Sequence, residues 1–303
     1  MEINPEYLIF GATGQQGGAV ARGLNARGKK VRAFVRDPES EKAKRLAAEG
    51  ISLIKGDLFD PVSIDQAMAG VSGVFSVQAS SPSGEVTDAQ EIEQGKAIAD
   101  SAARAGVRHL VYSSSGASGK GQTGMGHFDS KSEIETHIKS LSIPYTITRP
   151  ATFMEMMMLP GLGLSHDTFT FFMHPEQSMQ IIALQDLGRI NATILLAPNS
   201  YINQAIELSG ASVTGSDIQR VFSRAAGRTI RYQRFSDALL AENGFLRDLT
   251  RLVDDGTVAG RADIPALEKE FGPMTSMEEW LDGPGKTLFR AALSHGAEEV
   301  ALR

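Results

Sequence analysis

Short hydrophobic runs and longer amphipathic stretches alternate along the first half of the chain. The hydrophobic runs are rich in β-branched and aromatic residues, and glycine, proline or charged residues flank them. Runs of this length and composition predict β-strands. They are "YLIF" (7–10), "VRAFV" (31–35), "ISLI" (51–54), "GVFSV" (73–77), "HLVYSS" (109–114) and "YTIT" (145–148).

The amphipathic stretches between these runs have helical spacing and predict helices over 17–26, 40–48, 61–68, 89–105 and 128–141. Asp60 precedes Pro61, which marks a helix start, because aspartate caps free N–H groups and proline fits the first helical position. Strands that alternate with helices predict an α/β fold, a Rossmann-type doubly wound parallel sheet.

The alternation becomes less regular after "RPATF" (149–153). Strands are predicted over 168–173, 179–184, 204–210 and 229–235, and helices over 186–197 and 216–227, the second ending at Gly227. Several short helices follow, and we expect them to end near Gly283. We therefore predict a Rossmann domain over residues 1–155 with a returning segment near 184–208, and a smaller discontinuous α/β lobe over 156–303.

The composition argues against several classes of protein. The net charge is −6 and the chain has no long basic run, which argues against direct binding to nucleic acid. The absence of cysteine excludes disulfides, thiolate catalysis and cysteine zinc sites. The first residues carry no basic segment typical of a signal peptide, and no apolar stretch reaches the ~20 residues that span a bilayer. We expect a cytoplasmic protein without membrane contact.

A glycine-rich loop follows the first predicted strand in "YLIFGATGQQGG". Gly11 permits a tight turn, Gly14 lets the backbone approach a pyrophosphate, and Gly17 allows close helix packing. The helix N-terminus that follows attracts an anion. The alternative is a glycine-rich turn without a ligand, but the strand–turn–helix context favours nucleotide binding.

The second predicted strand ends at Arg36, where a dinucleotide-binding protein specific for NAD would carry an acidic residue. A guanidinium suits a 2′-phosphate, and Lys42 and Lys44 follow closely. The acidic Asp37, which follows directly, argues for NAD instead. The alternative for Arg36 is a solvated surface arginine that binds no ligand. The pattern favours NADP over NAD.

The third predicted strand leads into Asp57 and Leu58, at the sheet edge where open α/β proteins bind ligands. They could contact an adenine ring through an apolar and a polar group. The alternative is that Asp57 only shapes the loop.

Several segments, taken in order, resemble the NmrA-like proteins, an atypical branch of the short-chain dehydrogenase/reductase superfamily. They are "GATGQQGG", "VRDP", "GDLFDP", "QGKAIADSAARAGVRHLVYSSS", "HFDSKSEIETHI" and "TITRPATFME". The resemblance implies an NAD(P)-binding domain with a small C-terminal lobe. The residues expected to bind the cofactor are Gly11, Thr13, Gly14, Gln15, Gln16, Gly17, Arg36, Asp57, Leu58, Val77, Gln78, Lys131, Pro150, Thr152 and Phe153.

"GHFDSK" (126–131) resembles the superfamily's Tyr-x-x-Ser-Lys motif with histidine in place of tyrosine. The resemblance implies that Lys131 holds the nicotinamide ribose; the alternative is a helix-surface lysine paired with Glu135, which lies on the same helix face. His127 could transfer a proton as imidazole, or it could cap the helix or line a pocket without chemical task. Lys131 and His127 are the candidate catalytic residues.

Further polar and apolar candidates follow from the same motifs. One of Ser113, Ser114 and Ser115 could orient a substrate oxygen, and Tyr112 could replace the missing acid only if it faces the site. Met156 stands where the family often has asparagine. It belongs to a methionine-rich run (154–158) that could form an adaptable pocket wall or pack as ordinary core. No cluster of histidines and carboxylates has metal-ligand spacing, so we predict no metal.

Two functions fit these residues. The first is an NADPH-dependent reductase of a small quinone, carbonyl or aromatic substrate. The second is a non-catalytic NADP(H)-responsive sensor that binds a regulatory partner protein. For either function we expect a monomer or a homodimer. A third hypothesis is a biosynthetic enzyme that uses the bound dinucleotide only structurally. The retained Lys131 and the methionine-rich run favour a reductase, whereas His127 and the missing asparagine at Met156 favour a sensor. Of the two we predict the reductase.

Overall fold

A computed structural model describes residues 5–294 of the protein. The chain forms two compact units. The first comprises the chain up to Gly121, Gly126–Arg149 and Leu184–Ile206; the second comprises Gln122–Met125, Pro150–Ala183 and the chain from Glu207 onward. The chain thus leaves the first unit and returns to it before the second is complete.

A seven-stranded sheet forms the centre of the first unit. Its strands are β1 (Glu6–Ile9), β2 (Lys30–Val35), β3 (Ser52–Lys55), β4 (Gly73–Ser76), β5 (His109–Ser113), β6 (Tyr145–Pro150) and β10 (Gln204–Leu208). Their order across the sheet is β10-β6-β5-β4-β1-β2-β3, and the pairs from β6 to β3 are parallel. The hydrophobic runs of the first half therefore form the predicted parallel strands.

Within residues 5–294, six α-helices belong to this unit: α1 (Gln15–Asn25), α2 (Glu41–Ala48), α3 (Pro61–Met68), α4 (Asp88–Arg104), α5 (Gly126–Ser140) and α6 (Leu184–Leu196). The helix start predicted at Asp60 is confirmed, because its Oδ1 accepts the N–H of Val62 at 3.1 Å. Thr87 and Gln90 form a reciprocal capping box that fixes the first turn of α4.

The sheet order places a topological switch between β1 and β4. The chain runs from β1 outward to β2 and β3, and from β4 outward in the other direction to β5 and β6. Every residue of β4 and β5 is buried, which matches their nearly continuous hydrophobic sequence. In open α/β sheets a crevice forms at such a switch, beyond the carboxyl ends of the strands.

The second unit contains two small sheets. One has the order β11-β9-β7, and the other pairs β12 with β8; the strands are β7 (Thr152–Phe153), β8 (Thr168–Phe171), β9 (Met179–Ile182), β11 (Ala211–Val213) and β12 (Arg231–Arg234). Its helices are α7 (Gly215–Ala226), α8 (Asp237–Glu242), α9 (Gly244–Asp254), α10 (Ile264–Phe271), α11 (Met277–Asp282) and α12 (Lys286–Ser294). Packed aromatic rings, among them Phe169 and Phe222 at 5.0 Å, hold its core together.

Two predictions for this half need correction. The strand predicted over 204–210 ends at Leu208, and a separate strand begins at Ala211, because Gly210 donates its N–H to the carbonyl of Ile181 at 2.8 Å and the chain changes partner there. The helices do not end near Gly283: α12 follows and buries Phe289. The predicted end of α7 at Gly227 is confirmed by its left-handed φ of 66°.

Candidate functional site

The glycine loop connects β1 to α1 in the predicted way. Gly11 has a φ of 68°, a conformation that favours glycine, and its carbonyl accepts the N–H of Gly14 at 2.9 Å. A Cβ on Gly17 would lie 2.4 Å from the Gly11 oxygen. The helix can therefore begin directly against the turn only because residue 17 is glycine.

The N-terminus of α1 presents backbone to solvent. Its N-cap is Gly14, which has no side chain to cap the free N–H groups, and Gly14 and Gln15 are exposed. Thr13 is half-buried in the turn. Unpaired first-turn N–H groups with the positive end of the helix dipole are suited to bind a phosphate.

Gln16 links this turn to the middle of the sheet. Its Oε1 accepts the hydroxyl of Ser113, the last residue of β5, at 2.7 Å. Ser113 is therefore engaged with the glycine loop, while Ser115 contacts Ser118 at 2.9 Å. Ser113 thus contacts the first turn of α1, whereas Ser115 contacts the segment that follows β5.

Val77 and Gln78 follow β4 immediately beside the loop. A Cβ on Gly11 would lie 2.7 Å from Val77 Cγ1, so these segments are in close contact. Gln78 is 7% exposed and donates from Nε2 to Ser76 Oγ at 2.8 Å. Its Oε1 is buried and accepts no hydrogen bond within residues 5–294. A bound group carrying N–H or O–H donors would satisfy this acceptor.

Arg36 lies at the end of β2 with three-quarters of its side chain exposed (75%). It donates to Glu85 at 3.2 Å, a residue in the loop between β4 and α4. Asp37 accepts the N–H of Glu39 at 2.9 Å, and Lys44 pairs with Glu39 at 3.4 Å. An exposed ion pair of this kind is weak, so the guanidinium can exchange Glu85 for a phosphate.

Asp57 and Leu58 form the turn after β3. The Asp57 carboxylate accepts the N–H of Phe59 at 2.9 Å, and its N–H donates to Ser63 Oγ at 3.0 Å. The carboxylate therefore shapes the loop, which is the role that the sequence offered as the alternative to an adenine contact. Asp57 is exposed and Leu58 half-buried, so both keep surface for a ligand.

Lys131 is buried on α5, not on the helix surface. Its side chain is 11% exposed and pairs with Glu91 of α4, which is fully buried. The alternative partner proposed from the sequence, Glu135, binds Arg149 at 2.5 Å and Lys139 at 3.0 Å. The surface pairing of Lys131 with Glu135 is therefore wrong, because α4 covers this helix face and supplies a different carboxylate.

His127 stands one turn before Lys131 and its ring packs against Phe128 at 4.0 Å. Burial and, to a lesser extent, the positive charge of Lys131 lower the pKa of His127 to about 4, against the smaller opposing effects of Asp88 and Asp129. The imidazole is consequently neutral near neutral pH.

Tyr112 does not face a site. It is completely buried in the core with Ile98 and Ile134, and burial raises the pKa of its hydroxyl well above the ordinary value, with Glu91 and Glu135 acting in the same direction. A phenol held so firmly in its protonated form is a poor proton donor, so Tyr112 does not replace the missing tyrosine.

The expected residues from the end of β6 onward belong to the second unit. Pro150 is buried, whereas Thr152 and Phe153 are half-buried and form β7. A short 3₁₀ helix follows over Met154–Met158, in which Met154 and Met157 are fully buried core residues. Those two methionines pack as ordinary core, whereas Met156 is half-buried.

Glu91 and Glu85 are the two site residues that sequence reasoning missed. A signal for Glu91 exists, because it shares the buried face of its helix with Gly95, Ile98 and Ala102, where a carboxylate requires a partner. For Glu85, in an exposed loop, the sequence contains no such signal.

Residues 5–294 contain neither a metal-binding cluster nor a membrane-spanning helix. No group of three or more histidine, aspartate or glutamate side chains there is arranged to hold a metal ion. In the same range, no helix is both long and apolar enough to cross a membrane.

Two curated relatives with assigned activities are similar over three-quarters of the chain. An NAD(P)H azoreductase of Xenophilus azovorans is 27% identical over 227 residues, covering 74% of this chain and 75% of the relative. The NmrA-like family domain-containing oxidoreductase malD of Malbranchea aurantiaca is 30% identical over 253 residues, covering 75% and 74%.

Solved structures of similar fold include a reductase and a regulator. Citrobacter sp. triphenylmethane reductase complexed with NADP(H) has a TM-score of 0.75 at 23% identity and covers 95% of this chain and 100% of that one. The negative transcriptional regulator NmrA in complex with NADP has a TM-score of 0.76 at 20% identity and covers 95% and 98%. An NADPH-dependent quinone oxidoreductase of Escherichia coli complexed with NADPH has a TM-score of 0.74 at 24% identity, with coverage of 91% and 98%.

At these identities the structural likeness establishes the fold alone, which is of the Rossmann type. The family follows from the sequence, since the model of the NmrA-like family matches residues 5–281. The glycine loop, the segment that ends in Lys131 and the strand leading to Pro150 all lie within that match. The chain therefore belongs to the NmrA-like family.

Proposed function

We propose that this protein is an NADP(H)-dependent reductase of a small quinone, carbonyl or aromatic substrate. The observation that carries the proposal is that one unit combines a glycine loop suited to a pyrophosphate with a buried lysine, Lys131, at the motif position that holds the nicotinamide ribose in the superfamily. The names of its relatives, an azoreductase and an oxidoreductase, support a reductase.

The residues of the first unit fit a dinucleotide. The N-terminus of α1 offers N–H groups to the pyrophosphate, and next to the loop Gln78 offers a buried acceptor that receives no hydrogen bond from residues 5–294. Arg36, exposed at the end of β2, is suited to the 2′-phosphate that distinguishes NADP from NAD. Pro150, Thr152 and Phe153 remain proposed cofactor contacts.

When bound, NADPH supplies the hydride. Lys131 donates hydrogen bonds to the ribose and orients it. His127, neutral at neutral pH, lacks the acidic proton of an imidazolium, so the substrate takes its proton from a serine hydroxyl or from water. A quinone tolerates this arrangement best, because its reduced oxyanion is already stabilised by the aromatic ring.

A second function, an NADP(H)-responsive sensor that binds a partner protein, is supported by the neutral His127 and by Met156 at the asparagine position. Structural likeness to the regulator NmrA is compatible with it. In this case the dinucleotide would change the affinity for the partner without being consumed.

NADPH oxidation, followed by absorbance with a panel of quinones, aldehydes and azo dyes, separates the two functions. A reductase turns over at least one quinone, and Lys131→Met raises the KM for NADPH. Tight binding of NADPH without turnover of any panel member would overturn the reductase and favour the sensor. The matched control is Lys96→Met, a half-buried lysine of α4 paired with Glu133 at 2.6 Å.

A further inference from the structure

We propose that Glu91 is a positioning residue for Lys131: it fixes the lysine ammonium at the place where a dinucleotide ribose binds. The inference rests on the proposed function, since it requires Lys131 to contact a dinucleotide. It assigns a role to a residue outside the recognised motifs, 40 positions before the lysine.

Both carboxylate oxygens of Glu91 are engaged by α5. Oε1 accepts from the Lys131 ammonium, and Oε2 accepts the hydroxyl of Ser130 at 2.9 Å. Glu91 is fully buried, and Lys131 as a whole residue is also buried. A buried carboxylate that uses both oxygens has one orientation, so it can fix the ammonium more firmly than an exposed partner could.

The backbone of α4 approaches α5 closely enough to allow this contact. A Cβ on Gly95, one turn after Glu91, would lie 2.6 Å from Ile134 Cδ1, one turn after Ser130. Further along the same pair of helices, Asp100 contacts His137 at 2.7 Å and Lys96 contacts Glu133 at 2.6 Å. The register of the two helices therefore determines which carboxylate meets Lys131.

Charge balance gives Glu91 a second effect. A lysine has three N–H donors, so one bond to Glu91 leaves two for ribose hydroxyls. Lys131, Asp88 and Asp129 act electrostatically on His127, which is neutral near neutral pH, and Glu91 acts together with Glu135 on the buried Tyr112. Without Glu91 the buried ammonium would lack its bonded carboxylate, which is strongly unfavourable.

The test measures how Glu91→Gln changes the affinities of the protein for two ligands. NADPH extends to the nicotinamide ribose, whereas 2′,5′-ADP occupies only the adenosine side. We expect the affinity for NADPH to fall about tenfold, the size of an ordinary coupling between contacting residues, while the affinity for 2′,5′-ADP stays the same. Equal weakening of both ligands would indicate a merely structural role and overturn the inference.

A double-mutant cycle with Lys131→Met supplies the second readout. If Glu91 acts through Lys131, Glu91→Gln adds no further loss of NADPH affinity to Lys131→Met; additive losses would overturn the inference. Glu133→Gln is the matched control, since it removes a carboxylate from the same helix pair at the exposed contact with Lys96, and it should leave both affinities unchanged.

Glu91→Asp serves if Glu91→Gln does not fold, because it keeps the charge but withdraws it from Lys131. It should weaken NADPH binding selectively, and unchanged NADPH affinity would overturn the inference. If wild type bound 2′,5′-ADP but not NADPH, the ribose contact would be wrong; if it bound neither, the proposed function would fail as well.

Discussion

Ser113 donates its hydroxyl to the Gln16 side chain at 2.7 Å, and this bond ties the end of β5 to the first turn of α1. The two residues lie on either side of the switch between β1 and β4. The hydrogen bond therefore helps to hold the glycine loop against the sheet at the point where the fold forms its crevice.

Ser113→Ala should remove this restraint. We expect the free energy of unfolding to fall by about 1 kcal/mol, the usual value for one hydrogen bond, and NADPH affinity to fall with it. Urea denaturation and NADPH titration measure the two effects. Ser115→Ala, which breaks a bond to Ser118 in the following loop, is the control for binding. Unchanged NADPH affinity in Ser113→Ala would mean that the bond serves stability alone.

Gly17→Ala should abolish dinucleotide binding. The new Cβ would lie 2.4 Å from the Gly11 carbonyl oxygen, and because this is a contact with backbone, the loop must open to relieve it. Fluorescence titration with NADPH measures the loss. Gly244→Ala is a matched control, because there the nearest atom is the end of the flexible Arg247 side chain at 3.3 Å. Wild-type affinity in Gly17→Ala would show that the tight turn is not needed.

The elements that could be predicted are those fixed by neighbouring residues. The strand before Gly11, the Asp60–Pro61 helix start and the end of α7 at Gly227 depend on local conformational preference, and all three were found. The split after Leu208 was missed because the chain there changes its hydrogen-bond partner, a fact outside the local pattern.

The same distinction between local and distant causes applies to the residues of the candidate site. The positions of Gly14 and Gly17 followed from a motif, whereas the partners of Lys131 and Arg36 depend on segments brought in from elsewhere in the fold, Glu91 and Glu85. The side-chain pairing of Lys131 with Glu135 was the reasonable expectation for an isolated helix. It failed because α4 covers this face of α5.

Stability at acidic pH should depend on His109. Burial lowers the pKa of this histidine to about 4, and its side chain is only 1% exposed. Because the folded pKa lies below the unfolded one, the unfolded chain binds more protons between these values, and stability is lost as the pH falls from about 6.5 to about 4. Urea denaturation across this range should show a smaller loss in His109→Gln. Parallel curves for the two proteins would contradict the prediction.

His127→Phe should leave quinone turnover nearly unchanged. The imidazole is neutral near neutral pH because burial lowers its pKa to about 4, so it does not act as the acid. A true general acid would contribute about a hundredfold or more to the rate. The measurement is kcat with the best quinone of the panel. A loss of that size, together with a pH profile that changes in the variant, would restore His127 as the proton donor.

Arg36→Gln should change the preference between the two dinucleotides. The guanidinium is exposed and, within residues 5–294, its side-chain partner is Glu85 at 3.2 Å, so it is available to a 2′-phosphate. Loss of a charge-assisted contact should weaken NADPH binding about tenfold or more and leave NADH binding almost unchanged.

Glu85→Gln should act in the opposite direction, since it frees the arginine. Arg22→Gln, an exposed arginine of the same unit paired with Glu49 at 2.8 Å, is the control. Equal losses for NADPH and NADH in Arg36→Gln would show that Arg36 does not read the 2′-phosphate.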